Sequence, residues 1–222
     1  MENTVLTRYG LCNDYKIFKM MIIINDKKRL IKLCSFMTMG DGGVYKNGKN
    51  HYFVMNMIKK NEDYVFMCKS ILENITSCRI SEIEKGKSRQ PQLRLESKTH
   101  PFFNELRERI YIGKYKSIDI HALKLLDYEA LSFLYMSDGS ACYKGKNKYI
   151  CVTLNMKRLS YGDLFILKKA LKEKLDLEWN INKNGKYFYL TLRTKDHDKF
   201  FNGIRNFITP SFKYKILDEV IS

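Results

Sequence analysis

Residues 34–42 read Cys-Ser-Phe-Met-Thr-Met-Gly-Asp-Gly, and residues 131–139 read Leu-Ser-Phe-Leu-Tyr-Met-Ser-Asp-Gly. Ser, Phe, Met, Asp and Gly match in register, and the two aspartates stand 138 − 41 = 97 positions apart. The match extends downstream. The stretch from Tyr45 to Tyr52, Tyr-Lys-Asn-Gly-Lys-Asn-His-Tyr, is answered by Tyr143 to Tyr149, and Asn56-Met57 by Asn155-Met156. Phe102-Phe103-Asn104 with Leu106-Arg107 returns as Phe200-Phe201-Asn202 with Ile204-Arg205, and Lys114-Tyr115-Lys116 returns as Lys213-Tyr214-Lys215. Matched blocks in one order, with offsets drifting only from 97 to 99, mean that the chain is written twice. Two copies with so long a period do not make a solenoid. They predict two similar subdomains about an approximate twofold axis, residues 1–118 and 119–222, with residues 1–25 as an unmatched N-terminal extension.

Each copy carries the same element signals. Asp26 and Asp127 are N-cap candidates ahead of dense apolar runs (Leu30, Ile31, Leu33, Phe36, Met37; Leu131, Phe133, Leu134), and the glycine of Asp-Gly is a stop. A hairpin follows, with Asn47-Gly48 as its turn in the first copy. A helix is predicted near Glu62–Asn74 and Tyr161–Leu175, then a second hairpin with Asn184-Gly185 at its turn, then a helix carrying Phe-Phe-Asn. In the late strands Phe188, Leu190 and Leu192 alternate with Tyr187, Tyr189, Thr191 and Arg193, and Leu93 and Leu95 with Gln90, Gln92, Arg94 and Glu96. The predicted class is α+β, a pseudo-twofold duplicated αββαββα with two antiparallel sheets around a central helix pair.

Charge narrows the partner. The 222 residues hold 40 Lys+Arg against 24 Asp+Glu, a net +16, while 45% hydrophobic and 13% aromatic content supplies a core. Residues 1–118 carry 22 basic and 12 acidic side chains, leaving 18 and 12 for residues 119–222. Both halves are therefore cationic, which points to a folded nucleic-acid binder rather than a neutral domain with a basic tail. The apolar run Met20 to Ile24 is too short to span a bilayer, and Glu2-Asn3 opens the chain without a signal-peptide pattern, so no membrane association is expected. The six cysteines form no Cys-x-x-Cys pair and read as reduced, mostly buried thiols. His51, His100, His121 and His197 are scattered and read as structural or surface groups.

An aspartate at the end of an apolar helix meets the negative end of the dipole, at a cost of about 0.3–1 kcal/mol. Duplicating it within matched basic surroundings makes little sense for stability. Two helices packed along the axis would bring Asp41 and Asp138 together, where divalent cations could bridge them, hold a phosphodiester and activate water.

Here the residues resemble a family. Leu33 to Gly43 is similar to the first motif, and Ala130 to Ser140 to the second, of the monomeric two-repeat LAGLIDADG homing endonucleases; the resemblance runs over roughly residues 27–217. The segment Ile208-Thr-Pro-Ser-Phe-Lys-Tyr-Lys-Ile216 is also like the family's ending. The chain departs from the name-giving pattern at Phe36 and Phe133, where a small Gly is usual, leaving Ser35, Gly40, Ser132 and Ser137 for close helix crossing.

The resemblance implies a site-specific double-strand DNA endonuclease using Mg²⁺ or Mn²⁺. Asp41 and Asp138 would bind metal, assisted by the carbonyls of Gly40 and Ser137, and Lys116 and Lys215 would flank the paired catalytic sites, with Lys114 and Lys213 as the alternatives. The partner would be a long, partly palindromic duplex held by a monomer, with the sheets forming a saddle in its major groove. Base readers are expected from Gln90, Gln92, Arg94, Tyr187, Tyr189, Thr191 and Arg193. Lys46, Lys49, Lys87, Arg89, Lys144, Lys146, Lys148 and Lys186, at or near turns, are expected on phosphates or base edges. The same fold also serves as intron RNA maturase, and a cleavage-deficient DNA binder is a third reading, which retention of both aspartates disfavours. Abundant Lys, Asn, Ile and Tyr suit an AT-rich genome, such as an organelle or a phage.

Overall fold

The computed structural model describes residues 22–84, 90–144 and 149–217. The N-terminal extension up to residue 21 and the side chains of Lys87, Arg89, Lys144, Lys146 and Lys148 lie outside what is described.

The first copy runs α1 (Lys27–Met39), β1 (Gly43–Asn47), β2 (Asn50–Ile58), α2 (Glu62–Leu72), β3 (Cys78–Ile83), β4 (Gln92–Ser97) and α3 (Pro101–Ile110). A two-stranded ribbon, β5 (Tyr111–Ile112) with β6 (Tyr115–Lys116), and the short α4 (Ile120–Leu123) lead into the second. That copy runs α5 (Tyr128–Asp138), β7 (Gly139–Lys144), β8 (Tyr149–Leu154), α6 (Tyr161–Leu175), β9 (Trp179–Asn184), β10 (Tyr187–Leu192) and α7 (His197–Ile204), and ends in a 3₁₀ segment, Pro210–Lys215. The αββαββα order thus appears twice. The sheets repeat it, β1-β2-β4-β3 and β7-β8-β10-β9, with antiparallel pairing throughout.

Local chemistry starts and stops these elements. Asp26 accepts from the Lys28 amide and Asp127 from the Ala130 amide, each at 2.8 Å, as N-caps do. Helix α2 ends at Leu72, two residues before the expected Asn74. The hairpin loops sit one residue later than expected. Asn47 pairs with Asn50 and Asn184 with Tyr187, which leaves Gly48-Lys49 and Gly185-Lys186 as the loops. The glycines take φ of 63° and 58° at the first loop position, the pattern of a type II′ turn, whose twist matches the flanking strands.

Helices α1 and α5 form the centre. Residues 32–39 of α1 and 130–136 of α5 are buried without a break, so both are enclosed on all sides. Phe36 and Phe133 fill this core, and Tyr64 of α2 packs on Phe133 with centroids 6.0 Å apart. Each fully buried aromatic contributes roughly 1.5–3 kcal/mol of hydrophobic stabilisation. At their N-terminal ends the two helices are joined by ion pairs: Arg29 to Glu129 at 2.6 Å, and Lys32 to Glu129 at 3.0 Å and to Asp127. The Phe-Phe-Asn helices back the sheets; Asn104 accepts from the His51 amide at 2.9 Å. Cys34, Cys68 and Cys151 are buried thiols, Cys78 is half-buried and Cys142 exposed, all free.

Candidate active site

The close approach of α1 and α5 at their C-terminal tips follows from two small residues. A Cβ placed on Gly40 would lie 2.5 Å from Ser137 Oγ. Asp41 follows Gly40 immediately, and Asp138 is the last residue of α5, so the crossing carries both carboxylates to one end of the axis. They line a cleft of about 360 Å³ together with Gly40, Ser137, Asn155 and Arg158. The Ser137 side chain hydrogen-bonds the Asp41 carboxylate, and its Oγ lies 3.4 Å from the Tyr64 hydroxyl.

Asp41 reaches solvent and Asp138 is half-buried, yet the packed helix ends around them keep bulk water from most of the surrounding space. Burial therefore raises the Asp41 carboxyl, against the pull of Lys116, Lys215 and Arg158. It lifts Asp138 to about 6, with the charge of Asp41 adding to the rise. Two carboxylates that destabilise each other's charge, with hard main-chain oxygens beside them, are a donor set that suits Mg²⁺ or Mn²⁺ completed by water. Among the described residues no group of three or more His, Cys, Asp or Glu assembles.

The two expected lysines are separated from their neighbours by burial. Lys116 and Lys215 are both 8% exposed, whereas Lys114 and Lys213 face solvent. Lys116 Nζ donates to the carbonyls of Gly40 and Gly42, both at 2.6 Å. Lys215 Nζ donates to Met136 O at 2.7 Å and Tyr135 O at 3.2 Å, and stands 4.9 Å from the Phe212 ring centroid. Both ammonium groups thus neutralise the negative end of a helix dipole beside the cleft. Burial brings each down to about 8, opposed by Asp41 and Asp138. The Gly40 carbonyl, expected as a metal ligand, already accepts from Lys116.

Arg158 was not foreseen. It lines the cleft, and its charge acts on Asp41, Asp138 and Lys116. The signal was present: Arg158 lies 99 positions after Lys59, just beyond the matched Asn-Met pair. The copies differ here, because Lys59 turns away to Glu82 at 2.7 Å.

The sheets present the expected parity. In the first, Leu93 and Leu95 are buried while Gln92 and Arg94 are half-buried on the other face; Gln90 is exposed ahead of the strand. Glu96 binds Arg94 at 2.8 Å and Arg79 at 2.6 Å, so an arginine from β3 joins this face. In the second, Tyr187, Tyr189 and Thr191 share a face with Asn180 and Asn182, and Asn182 Nδ2 donates to Thr191 Oγ1 at 2.9 Å. Arg193 stands one residue beyond β10, where its amide donates to the Glu178 carbonyl at 2.9 Å and its side chain pairs with Glu178 at 2.8 Å. Lys46 is exposed at the end of β1, Lys49 and Lys186 in the loops.

The family model of the LAGLIDADG DNA endonuclease family matches residues 37–200. A curated relative, "Probable intron-encoded endonuclease 1" of Wickerhamomyces canadensis, is 24% identical over 191 residues, covering 82% of this chain and 81% of the relative. Among solved structures, the homing endonuclease I-WcaI bound to its DNA recognition sequence superposes with a TM-score of 0.72 at 19% identity, covering 87% of this chain and 88% of the other. The N-terminal LAGLIDADG domain of DUF199/WhiA gives 0.52 at 15% identity, covering 82% and 86%. A variant of I-DmoI, in complex with nicked target DNA and in the presence of manganese, gives 0.50 at 17%, covering 82% and 98%.

Proposed function

The chain belongs to the LAGLIDADG DNA endonuclease family, and on that premise we propose that it is a monomeric, site-specific endonuclease cutting both strands of a long, partly palindromic DNA duplex. The observation that carries the reading is the meeting of Asp41 and Asp138 at the tips of α1 and α5, flanked by buried Lys116 and Lys215. A DNA-bound relative structure and a manganese-containing one support the choice of partner and of ion class.

Asp41 and Asp138 would hold Mg²⁺ or Mn²⁺, with the carbonyls of Gly40 and Ser137 beside them. When bound, the ion polarises the scissile phosphodiester and favours in-line attack by water. The chain's own groups supply the rest. Lys116 and Lys215, fixed to helix-tip carbonyls, hold positive charge where the pentavalent phosphate gains negative charge, with no reorganisation needed at the moment of reaction. Arg158 adds a third positive group from the second half. The polar sheet faces, with Gln92 and Arg94 in one and Tyr187, Tyr189 and Thr191 in the other, read base edges in the major groove. Lys46, Lys49 and Lys186 bind phosphates from the hairpin loops and set the register.

The test is cleavage of targets selected from a randomised duplex library in Mg²⁺. Asp41→Asn and Asp138→Asn should abolish or cripple double-strand cutting while leaving DNA binding nearly intact. Undiminished cutting by either variant would overturn the assignment of the site.

A further inference from the structure

Each buried lysine is carried on a short segment that reaches between the halves. At its tip, Lys116 binds the end of α1 and Lys215 the end of α5, each the central helix of its own half. Within its own half each segment is held as well, the Ser117 amide donating to Ile110 O and the Tyr135 hydroxyl to Lys215 O, both at 2.6 Å, and each is in addition fastened to the opposite half. Ser117 Oγ donates to Asp163 Oδ1 at 2.6 Å, and the Ile118 amide donates to the same oxygen at 3.1 Å. Ser211 donates to Asp63 through its amide, at 2.8 Å to Oδ2, and through its hydroxyl to Oδ1. Asp63 and Asp163 lie 100 positions apart, both in the first turn of their helices, α2 and α6. Each half thus supplies a first-turn aspartate to the lysine segment of the other, at Ser117 just after Lys116 and at Ser211 four residues before Lys215.

We propose that Asp63 and Asp163 are positioning residues for strand cleavage, each setting the height of the lysine that the other half contributes to the cleft. The proposal rests on the reading that Lys116 and Lys215 act on the scissile phosphates.

Helix capping alone does not account for the arrangement. Asp163 completes a capping box with Ser160 using Oδ2, which accepts from the Ser160 amide at 3.0 Å and its hydroxyl at 2.6 Å. Its other oxygen is left for the segment that follows Lys116. Asp63 Oδ1 accepts from the Tyr64 amide at 2.7 Å as well as from the Ser211 hydroxyl, and Oδ2 accepts from the amide of Ser211, four residues before Lys215. With β6 only two residues long, Lys116 is held next in sequence at Ser117, whose amide donates to Ile110 O at 2.6 Å, and by the fastening of Ser117 Oγ and the Ile118 amide to Asp163. Displacing a catalytic group by about 1 Å costs about a hundredfold in rate, so a slack anchor should be felt in the chemistry before it is felt in the fold.

Because the fastenings are separate, the signature is strand bias. Single-turnover cleavage by the full chain is followed on its selected target with each strand labelled in turn. Asp163→Ala should slow one strand at least about tenfold more than the other, and Asp63→Ala should show the opposite bias, with DNA affinity held within about threefold. Ser117→Ala and Ser211→Ala, which leave the Ser160–Asp163 capping box and the Asp63–Tyr64 contact in place, should reproduce the two biases more weakly, and the Asn variants, which retain an acceptor, should lie between. Equal slowing of both strands, the same bias from both aspartate variants, or no change in either would overturn the proposal. Should an aspartate variant not fold, the paired serine variants decide on the same criterion. Failure of the unaltered chain to cut any selected duplex would instead overturn the endonuclease reading, and this proposal with it.

Discussion

Gly40 and Ser137 occupy the same position in the two copies and meet across the axis, so closely that a Cβ on Gly40 would stand 2.8 Å from the Ser137 Cβ. The contact is with the stem of a side chain and cannot be relieved by rotating it. Gly40→Ala should therefore pry the helix tips apart, destabilising the protein by about 1–3 kcal/mol in urea unfolding. Ser137→Gly in the same chain should restore most of that loss. An additive pair would show that the two residues do not share a contact.

The Asp138 carboxyl, lifted to about 6 from 3.8, fixes the sign of a pH dependence in the metal-free protein. Between those values the folded state holds more protons than the unfolded, so stability falls as pH rises through the interval, and the cost persists at neutrality. Asp138→Asn should raise stability in chelator at pH 7, by an amount on the order of 1–3 kcal/mol. The gain should vanish below about pH 4. A gain that persists in acid would implicate packing instead of charge.

Lys116 and Lys215 are brought down to about 8, mainly by burial, while Lys114 and Lys213 are exposed. Lys116→Met and Lys215→Met should each reduce single-turnover cleavage by about 10²–10³-fold with little change in DNA affinity. Lys114→Met and Lys213→Met should stay within about threefold on the same assay, since exposed charges contribute mainly to binding. The reverse ranking would move the catalytic assignment to the neighbouring lysines.

The two sheet faces differ in chemistry. The first carries paired guanidiniums, Arg79 and Arg94 on Glu96, and the second carries Asn180, Asn182, Tyr187, Tyr189 and Thr191. Sites selected from a library should place guanines under the first sheet and A·T pairs under the second, and Arg94→Ala should relax discrimination at a guanine by about 1–3 kcal/mol. Matching half-site compositions would count against this reading of the faces.

Much of this was legible before folding because repetition supplied an internal comparison. The element order, both aspartate caps, α6 at its full length and the strand parity follow from periodicity and the Asp-Gly stops. The hairpin loops shifted by one residue because Asn-Gly marks a turn without saying which of its residues is central. Arg158 was legible from its match to Lys59, but the fastenings made by Asp63 and Asp163 were not. They act across the halves, whereas reading along a repeat compares each residue only with its equivalent. Alternation does not tell where a strand ends, so it did not show that β10 stops at Leu192 or that Arg193, just beyond, pairs with Glu178.

Lys32 and Glu129 are also equivalents, 97 positions apart, and they too meet across the axis, at 3.0 Å. In a dimer of identical repeats that position would face its own copy, Lys against Lys or Glu against Glu, which costs several kcal/mol in a partly desolvated contact. Divergence of one charge has thus made the halves obligate partners of each other: each helix recognises its sibling and rejects itself. Lys32→Glu should consequently weaken the folded chain, and adding Glu129→Lys should recover only part of the loss in urea unfolding, because the new glutamate would still face Asp127 and the new lysine Arg29.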